Sequence, residues 1–179
     1  MGVSAENEGN LMVPRETQIE ILHMLEKNER GVARFYSVCA DRFTEHEGFW
    51  RQLSLEEDTH ALMIGVVRSL VVEENVDLGH RPSWDAVNEL ANGVKRQLDN
   101  LNVHELTMEH ALMFADTIER LFSEGEAFRV YDDDPPELAN LLRHLFEDSR
   151  QHAQSVADRL SGIENTQRNI VEQDTPTED

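Results

Sequence analysis

Within LEEDTHA (55–61), Glu57 and His60 stand three residues apart in a stretch whose surroundings otherwise read as buried helix. At that spacing both side chains project from one side of a helix and can reach a common ion. A carboxylate set among apolar side chains costs several kcal/mol unless it is paired or bound to metal. A donor set of carboxylates and imidazoles lowers that cost and suits iron, manganese or zinc.

The residues around this pair repeat its pattern. Steps of three and four residues, which hold one face of a helix toward a bundle axis, pick out Leu22, Leu25, Glu29, Val32, Tyr36, Cys39 and Phe43 in one stretch. In the next stretch they pick out Trp50, Leu53, Glu57, His60, Ile64, Val67 and Val71. Each seam is apolar at both ends and polar in the middle, so Glu29, Tyr36, Glu57 and His60 gather at one height. A glutamate on one helix with Glu-x-x-His on its neighbour is half of the di-metal carboxylate site built in bundle cores.

The second half of the chain repeats the layout imperfectly. Leu138, Leu142, Leu145, Ser149, His152 and Val156 put His152 in the place of His60 and Ser149 in the place of Glu57. Met108, Leu112, Ala115, Glu119, Phe122 and Glu126 put Glu119 in the place of Glu29. The candidate ligands are therefore Glu29, Glu57, His60, Glu119 and His152. Asp148, four residues before His152 and on its side of the helix, is the substitute for the missing carboxylate, and Asp116 is a further inward candidate. The remaining histidines, His23, His46, His104, His110 and His144, read as surface or cap residues, and Cys39 as a packed seam residue. Asp132 to Asp134 lack the spaced oxygen ligands of a calcium loop.

Helices must position these residues, and their breaks are legible. A loose polar segment (1–13) precedes Pro14, and a helical pattern runs from Glu16 to about Phe43. A short turn at 44–48 leads to a second long helix, from about Glu47 to Glu74. Ser83 caps a shorter helix to Leu101, bearing Trp84, Val87, Leu90, Val94 and Leu98. Thr107 caps a third long helix to about Tyr131, DDDPP breaks it, and a fourth runs from about Glu137 to Leu160. Residues 14–162 form the bundle and 163–179 a polar tail. No alternating strand pattern occurs. About thirty residues separate the two helix pairs, enough to cross a bundle at roughly 1.5 Å of rise per helical residue. The expected fold is all-α: a ferritin-like four-helix bundle of two antiparallel hairpins joined by a long crossover with its own short helix.

Composition narrows the function classes. The 179 residues suffice for one domain with a real core. A formal charge of −20 repels nucleic acid and anionic membrane, so neither is an expected partner. Such acidity, with only Lys27 and Lys95 as lysines, also suits a high-salt surface. A single cysteine excludes an intramolecular disulfide and any CxxC pair. The opening MGVSAENEGN has neither the basic nor the apolar part of a secretory signal, and Ala61 to Val72 is too short to span a bilayer. The expected location is the cytoplasm.

ERGVARFY (29–36), FWRQLSLEEDTHA (49–61) and, more weakly, FEDSRQHA (146–153) give the chain its family likeness. It resembles the rubrerythrin branch of the ferritin-like superfamily over about residues 16–160. The resemblance implies a dimeric four-helix bundle with a non-haem di-iron centre. It implies chemistry on peroxide or oxygen, or oxidation of ferrous iron. Tyr36 would be a hydrogen-bond donor beside the centre or a radical-capable neighbour. Two departures stand out. One cysteine cannot build a rubredoxin-like iron site, so electrons would come from a separate donor protein. Ser149 stands where the family carries a glutamate, and a serine hydroxyl cannot bridge two cations. The alternatives are a bundle holding one metal at Glu29, Glu57 and His60, and a metal-free helical module for binding or assembly.

Overall fold

The computed structural model describes residues 13–79, 84–100, 102, 105–124 and 128–173. Among them are five α-helices and no strand: α1 (Arg15–Arg42), α2 (Glu47–Glu73), α3 (Trp84–Asp99), α4 (Met108–Glu124) and α5 (Pro136–Gln173). A single 3₁₀ turn, Thr44–His46, joins α1 to α2.

Local chemistry starts these helices where expected. The Pro14 carbonyl accepts from the Gln18 amide (3.0 Å) at the head of α1. Thr107 caps α4, its Oγ1 accepting from the His110 amide at 3.2 Å. Pro136 opens α5 at a position where a helix needs no amide donor. The Ser83 cap and the Trp84 side chain lie outside the described residues.

Two ends differ from expectation. α4 stops at Glu124 rather than near Tyr131, and Arg129 to Tyr131 are not helical. Gly125 follows directly in sequence, and glycine is disfavoured in a helix interior by about 1 kcal/mol relative to alanine. The Asp134 carboxylate then accepts from the Tyr131 amide (2.7 Å), which closes a turn before α5. α5 instead runs past Leu160 and through Gly162 to Gln173. A single glycine costs a helix stability without ending it.

Side-chain contacts fix the helix directions. Early residues of α1 meet late residues of α2: Arg15 bonds Asn75 (2.5 Å), Arg68 reaches Glu26 (3.4 Å), Ser54 donates to the Ala33 carbonyl (2.8 Å), and Arg51 pairs with Asp41 (2.6 Å). α5 opposes α2 in the same manner. Arg159 covers the Phe49 ring, His152 meets Glu56, and Asp148 meets His60. α4 meets α1 where Phe114 stacks edge-on against Phe35 and Glu119 accepts from the Tyr36 hydroxyl. The chain returns from α2 to α4 by way of α3.

That return is anchored at its start. Gln18, buried on α1, donates to Val13 (2.8 Å) and Asp77 (2.7 Å) and accepts from the Leu78 amide (2.9 Å). Gly79 lies in the left-handed region (φ 66°), where a side chain would be strained. α3 then packs against α1, with Val87 and Val94 buried. The core lies between the helices and carries an aromatic cluster of Phe35, Tyr36, Trp50 and Phe114. No described helix is long and apolar enough to cross a membrane.

Candidate metal centre

At mid-height the apolar core gives way to a polar pocket supplied by four helices. α1 contributes Glu29 and Tyr36, α2 Glu57 and His60, α4 Glu119, and α5 His152. Each is at most 4% exposed. Glu57, His60 and His152 converge most tightly, with one ligand atom from each within 4.8 Å of the others.

Glu57 is the hub. Its Oε2 lies 3.2 Å from His60 Nδ1 and its Oε1 lies 2.8 Å from His152 Nδ1. One carboxylate thus faces imidazoles from two helices, and the rings stack with centroids 5.3 Å apart. Glu119 Oε2 lies 3.8 Å from His152 Nδ1, while its Oε1 accepts from the Tyr36 hydroxyl. Glu29 feels the charge of the neighbouring Glu57, and its Oε2 has no hydrogen-bond partner.

The outward nitrogens of both imidazoles are engaged as well. Nε2 of His152 lies 2.9 Å from Glu56, and Nε2 of His60 lies 3.3 Å from Asp148. These outward contacts fix the orientation of both rings, as the outer partners of metal-ligating histidines do. The two supports are crossed: the α2 histidine leans on an α5 carboxylate, and the α5 histidine on an α2 carboxylate. Asp148 does lie on the His152 side of α5 in sequence, but it reaches the partner helix's His60 and the exposed His144 (3.5 Å). Ser149 is buried and donates to the Leu145 carbonyl of its own helix (2.9 Å), so its hydroxyl is committed to the backbone. Asp116 pairs with Arg120 at 2.9 Å.

Burial and charge set the protonation of this cluster. Burial pushes Glu29 well above the usual carboxylate range, and the neighbouring Glu57 and Glu119 charges add to it. Burial also raises Glu119, and with the Glu57 charge carries it to about 8 despite His152 and the Tyr36 bond. For Glu57 burial acts upward too, but hydrogen bonds from His152 and His60 outweigh it and hold this carboxyl below its ordinary value. Burial alone would lower His152, yet its bond to Glu57 and the charges of Glu119, Glu57 and Glu56 raise it to about 9. Tyr36 is raised by burial and by the Glu119 and Glu57 charges. Glu29 and Glu119 therefore sit beside the ionised Glu57 by retaining protons, and a cation is the alternative means of neutralising this buried pocket.

The donor set fits a transition metal. Two imidazoles and a shared carboxylate converge, two further buried carboxyls flank them, and one of these has an oxygen with no other use. A cavity of about 200 Å³ lies against this cluster, lined by Glu56, Asp148, His152, Gln52, Gln151 and Ser155 among others. Cys39 is apart from this chemistry: it is fully buried, and burial pushes its thiol up to about 12 against the lowering effect of Arg42.

Glu56 is the functional residue the seam reading passes over, since it sits one position off the inward stripe. Its signal was present: Glu56 precedes His60 by four residues as Asp148 precedes His152. Glu126 and His104 lie outside the described residues. No family of known proteins, no curated protein and no solved structure matches the chain.

Proposed function

We propose that this chain is a metal-binding, ferritin-like bundle of rubrerythrin type, with two unequal metal positions in its core. One position uses His60, Glu29 and Glu57; the other uses His152, Glu119 and the second oxygen of Glu57. The observation that carries the reading is the Glu57 carboxylate, whose two oxygens face the Nδ1 atoms of His60 and His152 at 3.2 and 2.8 Å. The opposed directions of α1 with α2 and of α2 with α5 support the ferritin-like topology.

Iron is the metal that the donor set and the resemblance favour, with manganese or zinc as alternatives. Bound iron would supply electrons to an O–O bond of peroxide or oxygen, or exchange them with incoming ferrous ions. The chain's own residues exclude bulk water, orient both imidazoles through Glu56 and Asp148, and keep the Tyr36 hydroxyl protonated and donating to Glu119. The cavity at His152 is the path by which a small oxidant reaches the centre. Electrons for repeated turnover come from a separate donor, because a single cysteine cannot build a relay site.

Ser149 supports a second reading, in which one metal binds and the other position is silent. Its hydroxyl is turned to its own helix and leaves the His152 side one carboxylate short. Anaerobic reconstitution with ferrous iron, followed by metal counting and an optical spectrum after exposure to peroxide, separates the readings. Two irons per chain with an oxo-bridged ferric band support the first, and one iron without that band the second. No retained metal refutes both and leaves a metal-free helical module.

A further inference from the structure

A further cavity lies between α1 and α3 and has a volume of about 430 Å³. That is within the usual range for small-molecule sites. Its lining is net cationic, against the net charge of the chain, with Asp99 the one carboxylate among the described lining residues. Lys27, Arg30, Arg34 and Lys95 all line it, so both lysines and a quarter of the sixteen cationic residues meet at one cavity of a protein with net charge −20.

Two of these cations are committed and two are not. Arg30 pairs with Glu26 (3.0 Å), and Lys95 pairs with Asp99. Lys27 and Arg34 have no carboxylate partner among the described residues. Asn28, only 8% exposed, also lines the cavity, and its Nδ2 donor has no hydrogen-bond partner. A buried amide N–H left unmade is costly, and rotation of this side chain into the cavity would give it an acceptor from a ligand. The remaining wall is apolar, from Met24, Val94 and Leu98. Gly31 keeps the space open: a Cβ there would lie 3.3 Å from Leu98 Cδ1, and anything longer would enter the cavity.

We propose that the α1–α3 cavity binds an amphipathic organic anion, its carboxylate or phosphate head held by Lys27, Arg34 and Asn28 Nδ2 and its apolar body lying on Met24, Val94 and Leu98. A bare inorganic anion would leave the apolar wall unused. A neutral amphiphile would leave the two cations and the amide unmet. The site shares no residue with the Glu57–His60–His152 cluster.

The test is a fluorescence titration with 8-anilinonaphthalene-1-sulfonate, a probe that combines an anionic head with an apolar body. One saturable site per chain is expected, displaced by octanoate or octyl phosphate at least tenfold better than by octanol or inorganic phosphate. Whichever of the two amphiphiles displaces better identifies the head group. The double reversal Lys27→Glu/Arg34→Glu alters exposed side chains and should weaken binding at least tenfold with the helical circular dichroism unchanged. Gly31→Leu keeps every charge and should weaken it equally by filling the cavity. Equal displacement by octanol, or wild-type affinity in the double reversal, overturns the proposal.

Discussion

Raising the pH should weaken the metal-free protein and strengthen its grip on metal. His152 is held at about 9 against an ordinary value of 6.5, so the folded state keeps a proton that the unfolded chain gives up. A raised histidine contributes stability that is fully present below 6.5 and is lost as pH climbs through 9. Glu119, raised from 4.5 to about 8, acts in the same direction over a window that begins lower. Glu57 is depressed, so its contribution is present above its ordinary value and is lost only in acid, outside this window. At roughly 1.4 kcal/mol per pH unit for one proton, the His152 span alone corresponds to about 3 kcal/mol. For a domain of this size that lowers Tm by roughly 6–12 °C. The assay is urea denaturation of chelator-treated protein between pH 6 and 9.5, read by circular dichroism. The midpoint should fall steadily across that range, and the same series with ferrous or zinc ion added should flatten or reverse, because binding displaces the retained protons. A metal-free midpoint that holds level or rises from pH 6.5 to 9 would refute the electrostatic account of the pocket.

Four substitutions test its parts. Glu57→Gln removes the hub's charge and faces an amide to both imidazoles. Metal should no longer co-purify or reconstitute, and the metal-free protein should lose about 3–5 kcal/mol in denaturant titrations, as when one partner of a buried pair is removed. Retained metal at wild-type stoichiometry would exclude Glu57 as a ligand. Ser149→Glu should tighten the second metal equivalent at least tenfold in calorimetric titrations while leaving the first unchanged; no change would show that position 149 does not face the ion. Glu56→Gln and Asp148→Asn keep the pocket's shape but weaken the supports of the two imidazoles. Each should lower metal affinity by about 10- to 100-fold. A change in only one of them would locate the metal beside that histidine alone.

The inward residues were legible because a helical seam has little tolerance for charge. Glu29, Glu57, His60, Glu119 and His152 all interrupt apolar stripes, and all are buried. The helix pairs were legible from their breakers, Pro14, the 44–48 turn and DDDPP. What the stripe could not contain is the crossed support. Glu56 lies beside the seam, and whether a residue there meets solvent or a neighbouring helix depends on how far α5 is slid along α2. The same unknown explains Asp148: spacing on α5 associates it with His152, but helix opposition brings His60 to it instead. The end of α4 was misplaced because apolar residues such as Phe128 and Val130 continue the periodicity after the backbone has left the helix. Partial burial of that loop against the core, not helical packing, accounts for them.

The crossed supports also make the centre a mechanical fastener. α1 and α2 adhere along their whole length, whereas α2 and α5 touch over a much smaller area centred on the two histidines. One residue of slippage moves a helix by about 1.5 Å, enough to break the Glu56–His152 and Asp148–His60 contacts together, since each ties one helix to the other in opposite sense. The two halves of the bundle are thus pinned in a single register by the groups that would hold an ion. An ion bound between the two histidines would add a further tie between the hairpins to the register that these contacts already set.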